Sequence, residues 1–225
     1  MMLPQLNLKV TDYPESDGEP MAETGFHVTL IAYVLAMLRS FFSYRNDVYI
    51  GANMFVYYSE GDPTKKVAPD LFVAFGVPNH ERRIWKTWEE GKAPDVIFEF
   101  TSKGTWDQDL GSKKGLYAWL GVTEYFLFDP LDEYLQPRLR GFQLQEGDYA
   151  PIPANETGEL VSRLLGLILR PAGDKLELIA QTSGERLLPP LELAETLRQE
   201  TAARQAAEAE VARLRVELEQ LKKEQ

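Results

Sequence analysis

Apolar residues near the start of the chain recur with a helical step. Phe26, Leu30, Val34, Met37 or Leu38, and Phe41 predict one buried helix over residues 23–42. Its first residue stays open, because Pro20, Thr24 and Gly25 give competing start signals. Residues 1–20 are broken by Pro and charge and read as an extension over the surface. After residue 42 the period shortens. Apolar runs at 48–50, 54–58 and 71–75, with a turn at Glu60-Gly61-Asp62-Pro63, predict strands.

A polar, Trp-bearing connection over 79–93 leads into Val96–Phe100, an apolar run holding one carboxylate, Glu99. Residues 109–120 predict a helix closed by Gly121, and "EYFLFDP" predicts a buried strand ended by Asp129-Pro130. A helix between two apolar strands is the pattern of a crossover, which makes those strands parallel neighbours. Residues 138–144, 164–170 and 175–179 predict further strands. The pattern as a whole implies a mixed α/β domain over residues 21–190.

From residue 191 the pattern changes again. "LELAETLRQETAARQAAEAEVARLRVELEQLKKEQ" has no Gly or Pro and consists largely of good helix formers. Leu193, Leu197, Ala207, Val211, Leu214, Leu218 and Leu221 fit a heptad seam that Glu200 and Arg204 interrupt. Residues 191–225 therefore predict a helix, either a self-associating coiled coil that makes a homodimer or a solvated helix without a partner.

Composition narrows the chemistry. The 225 residues include no cysteine and two histidines, His27 and His80, too far apart for zinc-type spacing. A metal site would have to be built mainly from carboxylates, which favours Mg²⁺ or Mn²⁺. The formal charge of −11 counts against a nucleic-acid partner, unless basic residues cluster or a metal screens the site. Arg82, Arg83 and Lys86, or Arg138 and Arg140, are examples of basic residues that could meet a duplex, though two or three such charges are common on any surface. The start "MMLPQLNLKV" lacks a secretory signal, and the longest apolar run, residues 28–38, is too short to span a bilayer. A cytoplasmic protein with no membrane partner is the expectation.

Four groups of residues can carry chemistry. Asp70 follows Pro69 at the head of an apolar run. Glu99 is flanked by apolar residues on both sides, where a carboxylate is costly unless paired or metal-bound. Asp109, Lys113 and Tyr117 recur every four residues and share one helical face. Glu23 and His27 lie one helical turn apart. Apart from Glu99, which is harder to dismiss, these residues have plainer readings: Asp70 as a turn residue, Lys113 and Asp109 as an exposed ion pair, Tyr117 as packing, Glu23 as a residue favouring the helix dipole and His27 as a structural residue.

"VAPDLFVAFG", "APDVIFEFTS" and "DLGSKKGLYAWLGVTEYFLFDP" together resemble the Uma-type restriction endonuclease family of the PD-(D/E)xK nuclease superfamily. The resemblance covers roughly residues 20–180 and is strongest over 94–130. It implies a restriction-endonuclease-like mixed β-sheet flanked by helices, and Mg²⁺- or Mn²⁺-dependent hydrolysis of DNA. By position, Asp70 and Glu99 become metal ligands, Glu23 an additional acidic residue and Lys113 the catalytic lysine. Asp109, Tyr117 and His27 would support them. The superfamily lysine, two residues after the glutamate, is Thr101 here, and the resemblance implies that Lys113 has taken its role. Ser102-Lys103-Gly104 departs from the family's usual turn and makes Lys103 a rival, on the face of Glu99 if the strand persists. Two alternatives stand beside the nuclease. One is an inactive nuclease-fold adaptor acting through its C-terminal helix; the other is hydrolysis of a different phosphate ester.

Overall fold

Parallel pairing of the two apolar strands on either side of a helical crossover sets the centre of the molecule. The computed structural model describes residues 11–16 and 25–223. The extension read over 1–20 therefore lies outside the described residues except for 11–16, and so does Glu23.

The elements run α1 (Gly25–Phe41), β1 (Val48–Ala52), β2 (Val56–Tyr57), β3 (Lys66–Val67), β4 (Leu71–Phe75), β5 (Trp85–Lys86), α2 (Thr87–Glu90) and β6 (Val96–Phe100). They continue through α3 (Trp106–Leu110), α4 (Ser112–Leu120), β7 (Glu124–Phe128), β8 (Leu139–Gln145), β9 (Asp148–Pro151), β10 (Leu160–Ser162), β11 (Leu167–Ala172), β12 (Lys175–Ala180) and α5 (Pro190–Lys223). The main sheet has the order β1-β4-β6-β7-β8-β9. Within this sheet, among the described residues, only β6 and β7 pair in parallel, Val96 with Glu124 through Phe100 with Phe128; the other neighbours are antiparallel. All five residues of β6 and of β7 are buried, as expected of strands covered on both faces.

Alternation along the strands sorts the core into two layers. Leu71, Val73, Val96, Phe98, Phe126 and Phe128 meet α1 and the small sheet β10-β11-β12 on one face. Phe72, Ala74, Ile97, Tyr125 and Leu127 meet Tyr117 of α4 and, through Val56 and Trp85, the sheet β3-β2-β5 on the other. Phe98 and Phe126 stack at 5.2 Å on the first face, and full burial of such a ring contributes about 1.5–3 kcal/mol. Gly141 of β8 makes close approach possible here: a Cβ would fall 2.9 Å from both Leu160 and Phe126.

Several expectations needed correction. The helix read over 109–120 is two helices, broken at Gly111 (φ −111°, ψ −95°), whose N–H turns back to the carbonyls of Asp107 and Gln108. The 54–58 run keeps only two residues in a strand, and the 164–170 run begins pairing at Leu167. Strands β3, β5, β9 and β10 had no periodic signal, being two to four residues long. Gly121 closes α4 as read, at φ 82°.

The contacts divide the chain into two units, Met1–Leu187 and Leu188–Gln225, the second formed by α5. Among the described residues no helix is long and apolar enough to cross a membrane.

Candidate active site

Glu99 is the residue around which the site is built. Two-residue alternation puts Val96, Phe98 and Phe100 on the α1 face, so Ile97 and Glu99 point to the face covered by α4. There Glu99 is 1% exposed. Burial of a carboxylate is compensated by donors, and α4 supplies both. Tyr117 Oη donates to Glu99 Oε1 at 2.6 Å, and Lys113 Nζ lies 3.0 Å from Oε2. The spacing of four residues aligns Lys113 with Tyr117 on one side of α4, and the closing turn at Gly121 and Val122 holds the helix end carrying Tyr117.

Asp109 arrives from α3. Its Oδ1 lies 2.9 Å from Lys113 Nζ, yet neither buried oxygen has the geometry of a hydrogen bond. The two are best described as a close ion pair with unfilled directions around the carboxylate. The spacing of four residues brings Asp109 to Lys113 despite the break at Gly111. Tyr125 of β7, which had no separate sequence signal, donates its hydroxyl to the Asp109 carbonyl at 2.9 Å and ties α3 to the sheet.

Asp70 reaches the site through strand pairing. Leu71 pairs with Phe98, so Asp70 stands one step beyond, at the level of Glu99. Its Oδ2 accepts the Phe100 N–H at 2.7 Å and lies 3.3 Å from His27 Nε2. Asp95, the other aspartate after a proline, accepts from the Phe75 N–H and from Lys92, which makes it a strand-start residue. Lys103 is exposed in the turn after β6 has ended at Phe100, and it forms no salt bridge among the described residues. Thr101, at the usual lysine position, is buried with its hydroxyl unpartnered. Glu23 lies outside the described residues.

The electrostatics follow from the crowding. Burial pushes the Glu99 carboxyl up to about 8; Asp70 and Asp109 add to the rise, while Lys113 and the Tyr117 hydroxyl oppose it. Burial also raises Asp109, against the pull of Lys113. For Lys113, burial works against the ammonium, but Glu99 and Asp109 outweigh it and hold the group above its ordinary value. Tyr117 is raised well above the phenol range, first by burial and then by the adjacent Glu99 charge. Lys113 is therefore a cation at neutral pH.

Among the described residues, no three His, Asp or Glu side chains are arranged to hold an ion unaided. The donors still fit a hard divalent cation. Asp70 and Glu99 are neighbouring carboxylates that could hold such a cation, whose charge would relieve the repulsion between them.

The five basic residues named as examples that could meet a duplex each have a partner within the fold. Arg82 pairs with Glu90, Arg83 with Glu15 and Lys86 with Glu89. Arg138 donates to the carbonyls of Asp129 and Pro130, and Arg140 to that of Gln136.

Residues 9–172 match the model of a family, Uma2, described as "Putative restriction endonuclease". No curated protein matches the chain. Among solved structures, a match is found to a crystal structure described as a "putative nuclease belonging to DUF820" from Anabaena variabilis ATCC 29413. It has 14% identity and a TM-score of 0.47, covering 64% of this chain and 75% of that one.

Proposed function

We propose, from the premise that the chain belongs to the Uma2 restriction endonuclease family, that it is a Mg²⁺- or Mn²⁺-dependent endonuclease hydrolysing DNA phosphodiesters at the Glu99 cluster. The observation that carries this reading is Lys113 Nζ held between two buried carboxylates, 3.0 Å from Glu99 and 2.9 Å from Asp109, beside Asp70 just before β4.

Asp70 and Glu99 would hold the cation, which supplies neutralisation of the charge that builds on the phosphodiester. Lys113, as a fixed ammonium, stabilises that same charge and orients the attacking water; it does not act as the base while protonated. Tyr117 and Asp109 position it, the first by fixing the carboxylate Lys113 contacts and the second by direct pairing. His27 holds Asp70 from the side of α1. Glu23 enters as an additional acidic residue by its place in the family pattern alone.

The formal charge of −11 would oppose approach of DNA, so the reaction should be faster at low ionic strength only if a local cationic site outweighs it. The deciding experiment is nicking of supercoiled plasmid with Mg²⁺ or Mn²⁺, using wild type, D70A, E99A, K113A and K103A. The expected result is loss of nicking in the first three folded variants and retention in K103A. Retention in K113A with loss in K103A would transfer the lysine role. A wild type inert with both metals, on duplex and single strands, would overturn the nuclease reading in favour of an adaptor.

A further inference from the structure

Helix α5 carries an apolar edge along its C-terminal half. Val211, Leu214 and Leu218 are 48%, 49% and 53% exposed, in a helix otherwise rich in charge. Exposure alone does not say what covers such an edge; the flanking charges do. Val211 and Leu218 occupy the a positions of a heptad, with Ala207, Leu214 and, by sequence, Leu221 at the d positions. The g positions alongside are then Ala203, Glu210 and Glu217, and the e positions are Glu208, Arg215 and Lys222.

In two parallel helices in register, each g residue faces the e residue five places further along the partner. Glu210 thus meets Arg215 of a second copy, and Glu217 meets Lys222, on both sides of the seam. Antiparallel helices would face g with g, and every charged g residue in this stretch is a glutamate. Glu210, Arg215, Glu217 and Lys222 are all exposed and positioned for such contacts. Arg213, at an outer position, pairs with Glu210 Oε1 within its own helix at 2.7 Å, so Glu210 would meet Arg215 of the second copy through its other oxygen.

We propose that α5 is a dimerisation helix whose partner is α5 of a second copy of this chain, parallel and in register from about Ala207 to Lys222. The a and d residues agree with a two-stranded seam, since β-branched Val211 stands at a and Leu214 at d. Arg204, at the preceding a position, would face Arg204 of the second copy, a like-charge contact, so the apolar seam begins after it, at Ala207. The dimer carries two nuclease-like units, but the pairing rests on α5 alone and is independent of whether those units cut DNA.

The test uses the full chain. Sedimentation velocity over a roughly 100-fold concentration range should show a reversible monomer–dimer equilibrium, and L214D should remain monomeric throughout with the circular dichroism of the β-rich unit intact. The double variant E210K/E217K should dissociate at least about tenfold more readily than wild type, and adding R215E/K222E to it should restore dimerisation. Because the chain has no cysteine, a single A207C reports direction: oxidation should cross-link parallel, in-register helices at this d position. A monomeric wild type over the whole range, or a dimer that survives L214D, would overturn the proposal. Failure of the charge swap to restore pairing, or no cross-link through A207C while the dimer forms, would overturn the parallel arrangement.

Discussion

Glu99 and Glu124 are two buried glutamates on neighbouring parallel strands, and their surroundings differ in kind. Each is 1% exposed. Glu124 faces the α1 side of the sheet. It accepts from Ser162 Oγ and from the backbone N–H groups of Arg163 and Leu164, at 2.9 and 3.3 Å. Those donors are neutral and fixed, and they tie β7 to the β10–β11 connection. Glu99 faces the α4 side and is held by a titratable ammonium and a phenol, with Asp70 and Asp109 crowding it. One carboxylate is satisfied by the fold; the other is kept in a state of electrostatic conflict that a cation would relieve. Asp129 repeats the first pattern, accepting the N–H groups of Leu131, Tyr134 and Leu135. Burial of a carboxylate therefore does not mark a functional site by itself; the character of its partners does.

The largest effect that would separate the two glutamates is on activity. E99Q should reduce metal-dependent plasmid nicking by about 10²–10³-fold, the scale of losing a charge-stabilising group, while E124Q should stay within a few-fold of wild type once folded. Equal losses in both would sink the distinction.

Stability should respond in the opposite order. E124Q replaces one of two accepting oxygens with an amide donor and should cost about 1–3 kcal/mol in urea unfolding, whereas E99Q also relieves repulsion and should cost less. An E99Q variant destabilised more than E124Q would show that the Lys113 pairing outweighs the crowding.

A third contrast lies in pH. The folded-state Glu99 carboxyl, at about 8, binds a proton more tightly than an ordinary glutamate. Its contribution to stability is present in full below about pH 4.5 and is lost as pH rises through about 8; Asp109 acts in the same direction. Metal-free protein should therefore lose stability across this window, by no more than about 1.4 kcal/mol per pH unit for each group. The slope should flatten in E99Q but persist in E124Q, as read from thermal unfolding at several pH values. Added Mg²⁺ should raise Tm more at pH 8 than at pH 6, because the cation competes with the proton.

The smallest effect belongs to Tyr117. Y117F removes a donor that lowers the Glu99 carboxyl, so the acidic limb of the nicking profile should move to higher pH. The neutral-pH rate should fall about tenfold or less. An unmoved limb would mean that the hydroxyl serves packing only.

Much of this was legible in the chain before any tertiary information. Val96–Phe100 reads as a buried strand because its apolar run is continuous, and the same run makes Glu99 conspicuous. The crossover to β7 follows from a helix between two such runs, and its parallel pairing is what the sheet displays. The four-residue spacing brings Asp109 to Lys113 even across a helix break that the pattern did not reveal. The shortest strands were invisible, since two to four residues hold too little periodicity to register.

What sequence by itself determined was the set of buried runs, their order, the crossover and the helical α5, because burial and helix propensity are written locally at periods of 2, 3.6 and 3.5 residues. What only the tertiary structure decided was partnership. Asp70 meets the Phe100 N–H and His27 across 30 and 43 residues, and Glu99 meets Tyr117 across 18. Glu124 meets Ser162 across 38. Periodicity states that a carboxylate is buried; the pairing of distant strands and helices chooses the groups it faces, and those groups set its charge and its chemistry.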